Sequence, residues 1–228
     1  MTVLPPLSDR NLVSPAHLLK GRNAPARADH ATLSEVFAES AADAGVTGFV
    51  MAQLHHANDS DKPVLWIQDR LSRREAGRPY LRGLGLRISI LYVAVSKPID
   101  ALWAIEEGLG CSGLSAVVGE IWGDPQALDF TATKRIALRA EARNTPTWIM
   151  RRAATPNLSA ARMRWRVSSL PSALEPDDQR SPGAPLWKAE LFRARWDTPG
   201  EWVASYGAEG ISLSHGVADP PAPVAITG

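Results

Sequence analysis

The chain has 228 residues, 45% of them apolar, and its 25 basic side chains nearly balance 24 acidic ones. That is enough for one large domain or two small ones with a real core, and it excludes a wholly disordered acidic or basic tail protein. The single cysteine, Cys111, cannot close an internal disulfide, no Cys/His cluster has the makings of a zinc site, and the longest strongly apolar stretch, Ile88 to Val95, falls far short of the roughly 20 residues that span a bilayer. Pro5, Pro6, Asp9 and Arg10 stand where the apolar run of a signal peptide belongs. A soluble, cytoplasmic protein of a reducing compartment, with no metal and no membrane contact, is the expectation.

Residues 1–32 are Pro/Ala-rich and read as an N-terminal arm, with a short helix near Pro15 to Lys20. Ser34 to Ala38 reads as a short strand, followed by a small-residue stretch from Glu39 to Gly48 and a helix over Phe49 to His56. Lys62 to Ile67 is a buried-strand pattern. Gln68 to Ala76 is polar and reads as a loop, and Pro79 to Leu84 as a short helix. ISILYVAV, Ile88 to Val95, carries the strongest strand signal of the chain.

Ser96 is placed to cap the next helix, with Pro98 in its first turn and Ile99, Leu102, Ile105 and Leu109 at helical spacing. Ser115 to Ile121 is a strand. Thr131 to Ala142 is a helix with Ile136, Leu138 and Ala140 on its apolar side, and Thr147 to Met150 is a strand. Strands alternating with helices imply a mostly parallel twisted sheet flanked by helices.

After residue 160 the pattern changes. Arg164 and Arg166 alternate with Met163, Trp165 and Val167, and a Pro/Asp/Ser-rich loop follows over 171–185. Trp187 to Trp196 alternates again, and Glu201 to Tyr206 is a last short strand; these extend the sheet in antiparallel fashion. The division expected is an arm at 1–32, an α/β domain at 33–207 and a disordered tail at 208–228.

The overall charge balance hides a local excess. From Lys134 to Val167 the basic residues are Lys134, Arg135, Arg139, Arg143, Arg151, Arg152, Arg162, Arg164 and Arg166, opposed only by Glu141. Such a block is either a solvated helix face with two exposed strands or a positive field that recruits phosphate or an acidic partner.

The βα pattern invites a search for a P-loop, the Gly-rich turn after the first strand that ends in Lys-Ser/Thr and cradles phosphates on backbone N–H groups. The corresponding stretch, Ala38 to Gly48, has no lysine and carries Glu39 and Asp43, which repel a triphosphate. Gly45 and Gly48 alone are weak signs of a phosphate nest. ATP binding of the usual kind, and with it enzymatic activity, is not expected, and no cofactor is implied.

Other constellations are equally thin. His55 and His56 are adjacent and point about 100° apart on a helix. Cys111 reads as a small core residue, and Glu106-Glu107 as a solvated face. Glu120 ends the strand AVVGE, where an ATPase of this architecture holds its magnesium-coordinating acid; without a P-loop it reads as a relic or a packing residue, a degenerate acidic position. Trp165, Trp187, Trp196 and Trp202 lie among basic residues, where packing competes with base stacking.

Several segments carry a resemblance: SEVFA at 34–38, VLWI at 64–67, KPIDALWAIEEGLGCSGLSAVVGEIWG at 97–123, LDFTATKRIALRAEA at 128–142, SAARMRWRV at 159–167 and PLWKAELFRAR at 185–195. In order and in Trp/Arg placement the chain resembles the RecA core, and more specifically the ImuA family, RecA-like accessory proteins of bacterial SOS mutagenesis. The resemblance implies a RecA-like fold and a non-catalytic adaptor that acts after DNA damage, at the nucleoid. Its implied partners are ImuB and, indirectly, an error-prone C-family DNA polymerase in translesion synthesis, with RecA or DNA as further contacts and self-association in reserve.

Arg193 and Arg195 look like the two basic residues that in RecA reach a neighbouring subunit's nucleotide, a role that depends on a nucleotide the turn without its P-loop lysine is not expected to bind. Arg162, Arg164, Arg166, Arg193 and Arg195 are the residues expected to touch a partner or DNA. The alternatives are a salt-sensitive DNA-binding module built on the strip from Lys134 to Arg166, a degenerate but active ATPase, and a SulA-like cell-division inhibitor.

Overall fold

The computed structural model describes residues 31–57, 62–80, 88–175, 177–178, 180–207 and 210–214, without the side chains of 55–57. Among them the elements run β1 (Leu33–Ala38), α1 (Gly45–Ala57), β2 (Val64–Gln68), α2 (Arg70–Ala76), β3 (Ile90–Ala94), α3 (Pro98–Gly108), β4 (Ala116–Trp122), α4 (Phe130–Arg143), β5 (Thr147–Arg152), β6 (Met163–Leu170), β7 (Leu186–Ala194), β8 (Gly200–Gly207) and β9 (Gly210–Ser214). The strands form one nine-stranded sheet in the order β3-β2-β4-β5-β1-β6-β7-β8-β9. Every pair from β3 to β6 is parallel, and β7, β8 and β9 continue antiparallel. The α/β, mostly parallel reading and its antiparallel extension are both what the structure shows.

Strands in the middle of a parallel sheet are covered on both faces, so they read as continuous apolar runs rather than alternations. All six residues of β1 and of β5 are buried. α1 lies on one face, against β1, β5, β6 and β9, while α3 and α4 lie on the other, against β2, β4 and β1. On the α1 face, Phe49 is ringed by Trp148, Trp165 and Trp187 at centroid distances of 6.3, 5.4 and 6.2 Å, and Trp165 meets Trp202 at 6.2 Å. Trp165, Trp187 and Trp202 are thus core residues, and Trp196, at 50% exposure, is not. On the opposite face Leu102, Ile105, Leu109, Ile136 and Ala140 pack over Val117, Ile121 and Ile149.

Several expectations need correction. The polar stretch after Gln68 is no loop but α2. Asp69 caps it by accepting from Ser72 N at 2.7 Å, and Gly77, at φ 73°, closes it; neither signal depends on apolar periodicity, which α2 lacks. The residue before α3 is Lys97, with no side-chain cap, and Ser96 does not serve. Ile99 and Leu138 point outward at 51% and 50% exposure, Cys111 is exposed rather than a core residue, and Glu106 is largely covered, taking Arg135 at 2.8 Å. ISILYVAV forms the sheet's edge strand β3, with Leu91 and Val93 partly exposed. The stretch read as tail from 208 contains β9, because Ile211 and Leu213 complete the apolar face beside Tyr206 and Ala204; the domain therefore runs past 207. The short helix expected near Pro15 to Lys20 lies outside the described residues, as does most of that expected at Pro79 to Leu84.

Candidate functional site

The C-terminal ends of β2, β4, β5 and β1 lie along one edge of the parallel sheet, the edge at which α/β proteins bind ligands, with the turn between β1 and α1 beside the end of β5. Here a chain of polar contacts crosses the strand ends. Tyr92 of β3 donates to Gln68 Oε1 at 2.7 Å, and Gln68 Nε2 donates to Glu120 Oε2 at 2.7 Å. Glu120 Oε1 accepts from Arg152 Nε at 2.8 Å. The Arg152 guanidinium then reaches the turn, donating to Ala41 O at 3.2 Å, to Asp43 O, and to Thr47 Oγ1 at 2.9 Å. The side chains of Arg152 and Glu120 are 3% and 2% exposed. Burial pushes the Glu120 carboxyl above its ordinary range, against the lowering pull of Arg152 and Gln68. Glu120 is therefore an ion-paired member of a network.

Asp43 holds the start of α1. Its Oδ1 accepts from Gly45 N at 2.7 Å and Ser169 Oγ at 2.6 Å, and its Oδ2 from Ser169 N at 2.7 Å. Partial burial raises this carboxyl's pKa, but the Ser169 and Gly45 bonds and the Arg152 charge outweigh it and hold the group below its ordinary value. The two glycines have a packing reason. A Cβ at Gly45 would lie 2.5 Å from Ser169 Oγ, and one at Gly48 2.9 Å from the Trp187 ring, so both allow α1 to settle on β6 and β7.

The five arginines singled out from the sequence separate into three settings. Arg164 is buried on the α3/α4 face, where its Nε donates to Glu35 Oε2 at 2.7 Å; Arg151 flanks Glu35 from the other side at 3.8 Å and donates to Asp124 Oδ1 at 2.6 Å. Both guanidinium groups also lie on Phe37, at 5.3 and 5.4 Å. Arg166 pairs with Glu190 and lies 5.3 Å from Phe192. Arg162, Arg193 and Arg195 come together where β6 begins and β7 ends. Arg162 Nε donates to Glu141 Oε1 at 2.6 Å, Arg193 Nη1 donates to Ser159 O at 3.3 Å, and Arg195 N donates to Arg162 O at 2.8 Å. Arg193, Arg195 and Trp196 are exposed there, with the Arg195 guanidinium 5.8 Å from the Trp196 ring.

The basic strip is thus broken up by acids that, apart from Glu141, come from other parts of the chain. Arg135, Arg151, Arg152, Arg162, Arg164 and Arg166 each face a carboxylate at 3.8 Å or less. Arg152 and Gln68 were not singled out as site residues from the sequence. Two signals were present: TWIMRR runs an apolar strand straight into two arginines, and Glu120 lies near the end of a neighbouring strand in need of a cation. Among the described residues no group of His, Cys, Asp and Glu is placed to hold a metal ion, and no helix is long and apolar enough to cross a membrane.

β4 runs on to Trp122, two residues past Glu120, so this acid lies within the strand near its end and does not close it. The sheet order, the turn after β1 and this acid define a RecA-like α/β protein with a P-loop position occupied by other chemistry. No protein-family model matches the chain. Protein ImuA of Caulobacter vibrioides, in two strains, is 30% identical over 172 residues, covering 68% of this chain and 67% of that protein. The chain belongs to the ImuA family, the RecA-like proteins of bacterial damage-induced mutagenesis.

Proposed function

We propose that this chain is a non-catalytic adaptor in translesion synthesis, holding ImuB and, through it, an error-prone C-family DNA polymerase at damaged DNA. The observation that carries the reading is Asp43. Its carboxylate takes the backbone N–H of Gly45 at the start of α1, where a P-loop protein would present such groups to phosphate. With a fixed negative charge there and no lysine in the turn, the RecA-like frame is left to bind rather than to hydrolyse. The exposed corner of Arg193, Arg195 and Trp196 supplies a surface of the kind that anchors interfaces, where arginine and tryptophan are enriched.

Co-expression of the full chain with the ImuB of the same organism tests the reading. Deleting residues 159–228 would be a poor variant, because it removes β6, the neighbour of β1. Charge reversal by Arg193→Glu and Arg195→Glu leaves the sheet pairing in place. Stable co-elution, lost in the double variant with an unchanged melting temperature, is the expected result. No co-elution with a folded full-length chain would sink the adaptor reading. DNA binding that falls steeply with salt would then put the DNA-binding module in its place.

A further inference from the structure

The contacts of Arg152 have a chemical pattern that the adaptor reading does not use. Around its guanidinium stand Glu120 Oε1, Ala41 O, Asp43 O and Thr47 Oγ1. All four accept, and one is a carboxylate. A polyphosphate brings only acceptors and negative charge, so this cage has nothing to offer it. A planar cation with several N–H donors in a fixed fork fits, and a point-charge ammonium satisfies fewer of these directions.

We propose that Arg152 is an internal ligand: its guanidinium fills, from within the chain, the strand-end site after β1 where a P-loop protein takes up a nucleotide, and it holds the β1–α1 turn in one state that no nucleotide controls. The turn is pinned from two sides, by Arg152 of β5 and by Ser169 of β6 through Asp43. Both pins come from the chain, so the turn needs no ligand to be ordered. This inference stands whether or not ImuB is the partner.

Two experiments on the full chain test it. In the wild-type protein, the hydrogen-bonded amides of the turn, those of Asp43, Gly45, Thr47 and Gly48, should be protected from exchange without any ligand, and Mg·ATP or inorganic tripolyphosphate should change neither that protection nor the melting temperature. Fast exchange in the ligand-free turn, or a rise in melting temperature with Mg·ATP, would overturn the proposal.

In the second experiment Arg152→Ala empties the cage and should lower the melting temperature by roughly 10 °C, the scale expected for uncovering one partner of a buried ion pair in a chain of this size. Low-millimolar guanidinium chloride should restore several of those degrees where equal sodium chloride does not, and Arg152→Lys should recover less than half of the loss. Wild-type melting in Arg152→Ala, or a folded variant with no selective rescue, would overturn it. Should Arg152→Ala fail to fold, the wild-type exchange and melting measurements decide alone.

Discussion

In the parallel part of the sheet, β4, β5 and β1 lie between α1 and the pair α3 and α4, whereas the antiparallel strands β7 and β8 present one face to the core and the other, bearing Lys188, Glu190 and Glu201, to water. The two regions treat charge differently. The parallel part buries it: Glu35, Glu120, Arg151 and Arg152 are all within a few per cent of full burial, each matched by an opposite charge. The antiparallel part leaves it outside, as in Lys188 and Glu201, 3.3 Å apart and about half exposed. A buried charge whose partner is removed is costly, while an exposed pair is worth little. The buried arginines of the parallel part, Arg151, Arg152 and Arg164, are therefore committed to holding the fold, whereas Arg193, Arg195 and Trp196 stand exposed at the corner of the antiparallel part.

The sharpest way to break this comparison is Glu35→Ala. It strips Arg151 and Arg164 of the acid they share while both stay buried, and about 4 kcal/mol of stability should go, read as a lower urea midpoint at unchanged slope. A loss below about 1 kcal/mol would mean that the buried charges are not matched in this way. Next comes Asp129→Ala, which removes the cap that accepts from Ala132 N at 2.7 Å and should cost about 1 kcal/mol, most visible as faster exchange in the first turn of α4.

Arg162→Met probes the boundary between the regions. The Arg162 hydrogen bond, with its charge and the Thr32 bond, outweighs burial and holds the Glu141 carboxyl below its ordinary value of 4.5. A depressed carboxyl favours the folded state in its ionised form. The contribution is fully present above pH 4.5 and fades as pH falls through the lowered folded value. Wild type and variant should differ by about 0.5–1 kcal/mol at neutral pH and converge in acid, in parallel melts across that range. Smallest of all, Lys188→Ala should change stability by no more than about 0.5 kcal/mol; a larger loss would show that the open face is not freely solvated.

The alternation of Met163, Trp165 and Val167 with Arg164 and Arg166 was enough to find β6 and its two faces, and the apolar runs were enough to find β1, β4 and β5. Local pattern could not show that Arg164, on the polar face of β6, is itself buried, because the acid that neutralises it is Glu35, 129 residues away. The same holds at the turn after β1. Its missing lysine and its acids were legible, but the side chain that fills it, Arg152, lies on a strand 109 residues from Asp43. α2 was missed for another reason: its seven residues are set by a cap at each end, and reading by apolar period passes over such a helix. Cys111 shows the limit of composition, since a cysteine beside a helix end reads as interior until the loop's path is known.

The place of β1 between β5 and β6 has a consequence for the nascent chain. LSEVFA is synthesised before any other strand of the sheet, yet both of its neighbours follow only after four helices and three strands have been made. Until Met163 to Leu170 has left the ribosome, β1 has an unpaired edge and no complete site at which to bury its apolar side chains. Sheets closed by such distant pairings fold slowly, and unpaired strand edges expose them to aggregation meanwhile. The yield of native protein should therefore depend on the interval between synthesis of the first strand and the sixth, and on what shields the first strand during that interval.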